Sequence, residues 1–429
     1  MMMAMSSALL TDHYELTMLE ASLRSGAASR RTVFEVFARQ LPGGRRYGVV
    51  AGTGRVLEEL ERFRFTDEDL AFLRDNQVVD APTLEFLAGY RFSGNLHGYP
   101  EGECYFPGSP IMTVEGTFAE AVLLETVILS ILNHDCAIAT AASRMINAAG
   151  SRPLIEMGSR RTHEMSAVAA ARAAYLAGFS STSNLMAGHV YGVPTAGTAA
   201  HAFTLLHDSE KQAFQAQINS LGAGTTLLVD TYDVAQAVRT AVELAGPNLG
   251  AVRLDSGDLA QVAHEVRKQL DALGAYKTRI VVTSDLDEYA IAALSSAPVD
   301  VYGVGTSLVT GSGAPTAALV YKLVAREDDD GAIQPVAKKS VGKPSRGGRK
   351  EAFRKLDAAG TAVAELVTVS GDQPTDARPL QVQLVKDGEI IGREGLEVGR
   401  GRHRDAVAEL PATAHQLSRG YAAIPTVFD

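Results

Sequence analysis

In Val193-Pro-Thr-Ala-Gly-Thr-Ala-Ala-His201 a short apolar approach runs into Gly197 and Thr198, and a histidine closes the segment. Proline and glycine punctuate it, so the spacing predicts a strand end that opens into a loop or a helix start. A strand end of this kind exposes backbone N–H groups beside a titratable imidazole. His201 is therefore a candidate reacting group.

Segments of the same build lie on both sides. Short apolar runs ending in glycine or a polar residue occur at Pro153–Gly158, Ala177–Ser181, Val193–Thr198, Thr225–Asp230, Gly250–Asp255, Arg279–Ser284 and Asp300–Thr306. Helical patterns at Thr162–Leu176, Val234–Leu244 and Leu259–Leu273 fall between them. Alternation of this kind implies a parallel sheet, and so many strands in so short a span favour a compact parallel α/β barrel over an open sheet. Chemistry in such barrels gathers at the carboxyl ends of the strands, where Arg160, Arg161, Asp230, Arg253, Asp255, Ser284, Asp285, Gly303, Gly305 and Thr306 fall.

The flanking regions lack this rhythm. Thr11–Leu19 reads as a capped helix start carrying Tyr14, Thr32–Ala38 as a strand, Gly52–Arg64 as a helix, and Gly89–Pro110 as short antiparallel strands. Phe118–Ala149 reads as one long helix or two abutting ones, with His134 as a hydrogen-bonded helix residue. Beyond Lys322 come an acidic turn at Glu327–Asp330, a basic stretch at Lys338–Lys350, and mixed short strands to the end. Both chain ends are expected to form one discontinuous mixed α/β domain. The expected division is 1–116 and 326–429 for that domain, and 117–325 for a helical lead-in and the barrel.

A chain of 429 residues exceeds one ordinary core. A formal net charge of -10 argues against nucleic acid or an anionic membrane as the main partner. An anionic substrate would then need local cations, which screening over ~8–10 Å leaves effective. The two cysteines, Cys104 and Cys136, give no disulfide framework or metal spacing, which suits a reducing cytoplasm. The N-terminal residues lack a basic and apolar leader, and no apolar run approaches the ~20 residues of a membrane helix.

The chemistry of single residues sharpens this. Arginine suits bidentate recognition of carboxylate or phosphate. Arg160 and Arg161 are adjacent on a strand end, so one is expected to face the site and the other away. Arg253 and Asp255 share a face, a cation for an anion beside a carboxylate for sugar hydroxyls, with a structural ion pair and a cap at Asp258 as the competing reading. Asp230 either orients His201 or caps the helix from Val234. Gly303-Val-Gly305-Thr306-Ser307 is a plausible phosphate cradle, though not a Walker A loop.

The strings TDHYELTM, EMGSRR, GFSSTSN, GTAAH, LVDTYDV, VRLDSGDL, YGVGTSLVTG and VYKLV, in this order, resemble nicotinate phosphoribosyltransferase over about residues 10–350. The resemblance implies an irregular parallel α/β barrel of the phosphoribosyltransferase kind beside a mixed α/β domain from both chain ends. It implies joining of nicotinate to phosphoribosyl pyrophosphate, with ATP hydrolysis coupled through a phosphohistidine, Mg²⁺, and a homodimer with shared active sites. On this chain it makes His201 the phosphoryl acceptor, Thr198 a nicotinate contact, and Tyr14 the aromatic that stacks on the pyridine ring from the partner subunit. Arg160 falls near base and phosphates, Arg253 near the nicotinate carboxylate, Asp255 on the ribose, and Gly303, Gly305 and Thr306 on phosphate. Where an amide-using relative, nicotinamide phosphoribosyltransferase, carries an aspartate, Ser183 stands here beside Asn184 and would not repel a carboxylate. Ala202 follows His201 where the family often has serine or glutamate. Quinolinate phosphoribosyltransferase, which needs more cations and no ATP, and a non-catalytic nicotinate or nucleotide sensor are the remaining alternatives.

Overall fold

The computed structural model describes residues 6–338, 345–369, 371 and 373–429. Residues 339–344, in the middle of the basic stretch read at Lys338–Lys350, lie outside them. The chain divides into two compact units, Met1–Thr140 with Ala314–Asp429, and Ala141–Gly313. The sequence-based bounds at 117 and 325 follow changes of composition. Contacts part the chain instead within helix Glu125–Ala149 and ahead of strand Leu319–Glu327. That strand pairs antiparallel with Arg31–Ala38 and so joins the first unit's sheet.

The first unit is discontinuous. Arg31–Ala38 is buried on both faces after its first residue, which suits a central strand. Leu319–Glu327 and Met112–Thr117 flank it in a seven-stranded sheet. Val382–Lys386 returns from the C-terminal tail to pair with Asn95–Gly98 in the same sheet. The tail also forms a four-stranded sheet from Glu351–Leu356, Ala362–Thr368, Ala377–Pro379 and Thr426–Phe428. Lys350 Nζ lies 3.0 Å from a Glu35 carboxylate oxygen, with both side chains buried, and crosslinks tail to head. The lead-in is two helices, Phe118–Val122 with a Thr117/Glu120 capping box, and Glu125–Ala149. The second is, by length and composition, long and apolar enough to cross a membrane, which corrects the expectation that no run approaches that length. Its most apolar window is 72% buried inside the protein.

The second unit carries six parallel strands: β1 (Leu154–Glu156), β2 (Ser181–Thr182), β3 (Thr226–Leu228), β4 (Ala251–Leu254), β5 (Arg279–Val282) and β6 (Val301–Val304). Their order is β2-β1-β6-β5-β4-β3, a curled half-barrel of the expected α/β kind. The seventh expected strand, Val193–Thr198, is reduced to one parallel bridge between Thr195 and Thr182. Pro194 has no N–H to extend the ladder; its carbonyl accepts from Thr182 N–H at 2.9 Å. The helices Glu164–Leu176, Val234–Ala245 and Leu259–Ala272 occupy the spans read from periodicity. Register brings Leu228, Arg253 and Val281 abreast on one side of the sheet's order, and Val304, Glu156 and Thr182 on the other.

Candidate active site

Three loops at the carboxyl ends of β3, β4 and β5 each carry two acids, and each pair divides its work. The second acid caps the next helix: Asp233 accepts from Gln236 N–H, Asp258 from Gln261 N–H, and Asp287 from Tyr289 and Ala290 N–H. Capping of this kind satisfies orphan N–H groups. The first acid is thereby left for the strand end. Asp230 is not the cap, which removes the competing reading of it.

Arg253 near the end of β4 is the hub. Its Nε donates to Thr283 Oγ1 at 2.9 Å, one terminal nitrogen to Thr198 Oγ1 at 3.0 Å and the Ala199 carbonyl at 3.2 Å, and the other to Asp255 Oδ1 at 3.0 Å. Thr283 also donates its hydroxyl hydrogen to Asp255. Burial opposes the charge on Asp255, but the bonds from Thr283 and Arg253, with the charges of Arg253 and His201, hold its carboxyl below the usual range. The ion pair is real, as the competing reading held, and it stands at a cavity.

That cavity, of about 280 Å³, is lined by the predicted Arg160, Arg253, Asp255, Gly303, Gly305 and Thr306. Arg161, Thr283, Ser284 and Asp285 complete its polar wall. Both neighbouring arginines face it, contrary to the strand-alternation expectation, because β1 ends at Glu156. Arg160 and Arg161 lie in a turn closed by Arg161 N–H on the Gly158 carbonyl at 2.8 Å. Ser284 holds φ 149°, a conformation rarely adopted by residues other than glycine, at the end of β5.

His201 begins the short helix His201–Leu205. Its Nδ1 is 3.1 Å from Thr231 Oγ1, and its Nε2 is 3.8 Å from Asp230 Oδ1 and 4.0 Å from Asp255 Oδ2. Asp230, with its side chain 3% exposed, accepts through Oδ2 from Asp255 N–H and Ser256 Oγ, both at 2.8 Å. Its Oδ1, toward the imidazole, has no hydrogen-bond partner among the described residues. The imidazole thus borders the guanidinium–carboxylate pair without lining the cavity itself.

Gly303 lies within β6, where an added Cβ would come 2.6 Å from Thr283 Cγ2 and 2.8 Å from Met157 Sδ. Its lack of a side chain makes room for Thr283. Gly257 instead answers a conformational need, φ 88°, as the chain turns toward the Asp258 cap. Ser183 is exposed just past β2, its N–H on the Glu156 carbonyl. Ser183 and Thr198 do not line the cavity. Tyr14 belongs to the other unit, 45% exposed on helix His13–Ser25.

Comparison with known proteins gives the family. The family model described as nicotinate phosphoribosyltransferase (NAPRTase) N-terminal domain matches residues 9–133, and that of the quinolinate phosphoribosyl transferase C-terminal domain matches 138–312. Nicotinate phosphoribosyltransferase pncB1 of Mycobacterium tuberculosis (strain CDC 1551 / Oshkosh) is 57% identical over 97% of this chain and 94% of its own length. The chain belongs to the nicotinate phosphoribosyltransferase family. The nicotinate phosphoribosyltransferase of Bacillus subtilis (strain 168) is 38% identical over 88% of this chain and 79% of its own. The crystal structure of human nicotinic acid phosphoribosyltransferase matches with a TM-score of 0.84 at 27% identity, covering 98% of this chain and 97% of that one. As a member of the nicotinate phosphoribosyltransferase family, the chain has at its barrel mouth residues that sequence reading passed over. Thr283, the hydroxyl closing the apolar run of β5, is one. Glu156, a carboxylate inside an otherwise apolar strand, is another.

Proposed function

We propose that this protein joins nicotinate to phosphoribosyl pyrophosphate, forming nicotinate mononucleotide and pyrophosphate for NAD biosynthesis and salvage. The observation that carries this reading is the cavity itself. Three arginines and a double-glycine strand end line it together with Asp255, and an imidazole lies 4.0 Å from that carboxylate. Breaking the C1–oxygen bond sends its electron pair to pyrophosphate and leaves positive charge on the ribose. Arg160 and Arg161 suit the first, Asp255 the ribose hydroxyls and the second. The pyridine nitrogen attacks with its own lone pair, so alignment is the protein's main contribution. We assign Arg253 and Thr198 to the nicotinate end, and Tyr14, from a second copy in a homodimer, to stacking on the ring.

We further assign His201 as phosphoryl acceptor in an ATP-coupled cycle. The γ-phosphorus would bond to a ring nitrogen as ADP leaves. That nitrogen attacks through its lone pair; with the ring proton on Nε2, Asp230 Oδ1, 3.8 Å away and without a hydrogen-bond partner among the described residues, would hold that proton and orient the ring. Among the described residues no three His, Cys, Asp or Glu side chains gather as a metal centre. Mg²⁺ commonly reaches such sites through one or two carboxylates and substrate phosphates. Asp255 and Asp285 on the wall fit that role, and bound Mg²⁺ would neutralise charge on the departing pyrophosphate. The two buried free cysteines support a cytoplasmic setting.

The test measures pyrophosphate and ADP release with nicotinate and phosphoribosyl pyrophosphate, with and without ATP, and with nicotinamide in competition. Preference for nicotinate and ADP release are expected. With γ-labelled ATP, wild type should take up label and His201→Ala should not; equal labelling removes His201 from this role. Binding without pyrophosphate release would instead indicate a sensor.

A further inference from the structure

Glu156 ends β1 wholly buried, and no cation pairs with it among the described residues. Burial pushes its carboxyl up from the ordinary range, opposed by bonds from Thr182 and Gly158. Leaving a carboxylate in an apolar interior is costly unless its hydrogen bonds are placed well. Here both oxygens are used. One accepts the N–H of Gly158, and the other the hydroxyl of Thr182 on the neighbouring strand. Thr182 Oγ1 in turn accepts Asn184 N–H at 2.9 Å, and Asn184 Nδ2 donates to Ser159 Oγ at 3.0 Å. The turn is also hemmed from its other side: a Cβ on Gly158 would meet Val309 Cγ1 at 2.2 Å and the Gly305 carbonyl at 3.2 Å. Gly158, Ser159 and Arg161 are thus tied through their backbones or side chains, and the two exposed guanidinium groups project from a fixed base.

We propose that Glu156 is a positioning residue that, with Thr182, fixes the Gly158–Arg161 turn and so sets where Arg160 and Arg161 meet the pyrophosphate end of the substrate. This rests on reading the cavity as the phosphoribosyl pyrophosphate site. Glu156 does not line the cavity and acts only through the turn. Its carboxylate is acceptor on both oxygens, whereas an amide offers one acceptor and one donor, so Glu156→Gln replaces two bonds to a carboxylate by weaker neutral ones and keeps the second only if the Thr182 hydroxyl turns to accept. Thr182→Val removes the hydroxyl's two bonds, to Glu156 and from Asn184 N–H, while keeping side-chain shape, and Thr182→Ser restores the hydroxyl.

Steady-state kinetics on the full chain test this. Glu156→Gln and Thr182→Val should raise KM for phosphoribosyl pyrophosphate on the order of tenfold, with kcat within about twofold and KM for nicotinate unchanged. Thr182→Ser should stay near wild type. Wild-type KM in a folded Thr182→Val, or equal rises in both KM values, would overturn the proposal; if Glu156→Gln does not fold, Thr182→Val carries the test alone. Calorimetric titration with inorganic pyrophosphate gives the same comparison without turnover. A wild type that binds pyrophosphate but never releases it in reaction sinks the functional reading, and the variants still decide the positioning role. A wild type that does not bind it ends both.

Discussion

Arg253 shows how one side chain can organise a site. Its planar fork reaches a threonine just past β5, a threonine and a carbonyl of the loop before His201, and Asp255 in its own loop. A lysine ammonium cannot span these directions. Arg253→Lys should lower kcat/KM on the order of 100-fold while far-UV circular dichroism stays unchanged. Glu210 makes a different residue-scale case. Burial first, and the Asp233 carboxylate second, push its carboxyl up to about 7 from an ordinary 4.5. The folded chain therefore keeps a proton that the unfolded chain has lost, and between these values stability falls as pH rises. Glu210→Gln should remove that slope. Since the group is partly solvent-exposed and screened, the gain near pH 8 relative to pH 5 should be about 1 kcal/mol in urea unfolding.

At the scale of elements, the informative units are the strand-to-helix loops. LVDTYD, RLDSGD and TSDLD each offer two acids, and sequence alone does not say which serves the helix. Capping geometry gives the answer: the second bonds the first turn's N–H groups, and the first is released to the mouth. Asp258→Ala and Asp255→Ala should therefore separate. The first should cost about 1 kcal/mol of stability with kcat/KM nearly kept. The second should cut kcat/KM by roughly 100-fold or more with little loss of stability. Paired thermal melts and kinetics distinguish these outcomes. β6 offers a packing counterpart. Gly303→Ala drives a Cβ into Thr283 and Met157, so a loss of about 1–3 kcal/mol is expected together with weaker substrate binding.

At the scale of the whole molecule, the two chain ends form one unit. The tail supplies Val382–Lys386 to the sheet built on Arg31–Ala38, and Arg354, buried 3.1 Å from Glu365, also lies 3.6 Å from Glu103 of the N-terminal part. Removing residues 377–429 should therefore do more than shorten the protein. It strips the last two strands of that sheet, Val382–Lys386 and Glu389–Ile390, exposes Asn95–Gly98 as a new edge, and takes away Arg378 and Glu409 from that charge network. Such a truncation should accumulate as insoluble protein, and a soluble, cooperatively melting product would show that the N-terminal portion stands alone.

The sequence by itself determined the alternation of strands and helices, a parallel α/β sheet of the barrel kind, and the strand ends where polar residues collect. Local periodicity and turn chemistry are enough for these, because each is written within a few residues. It also determined that both ends share a domain, from the loss of that rhythm on either side. Tertiary structure alone decided what depends on register between distant strands. That includes the turn that brings Arg160 and Arg161 to one cavity, and the hydroxyl of Thr283 between Arg253 and Asp255. It also includes the reduction of Val193–Thr198 to a single bridge and the buried carboxylate of Glu156 beside Thr182. Side chains from separate strands meet only when hydrogen-bonded neighbours fix their alignment, and no single strand contains that information.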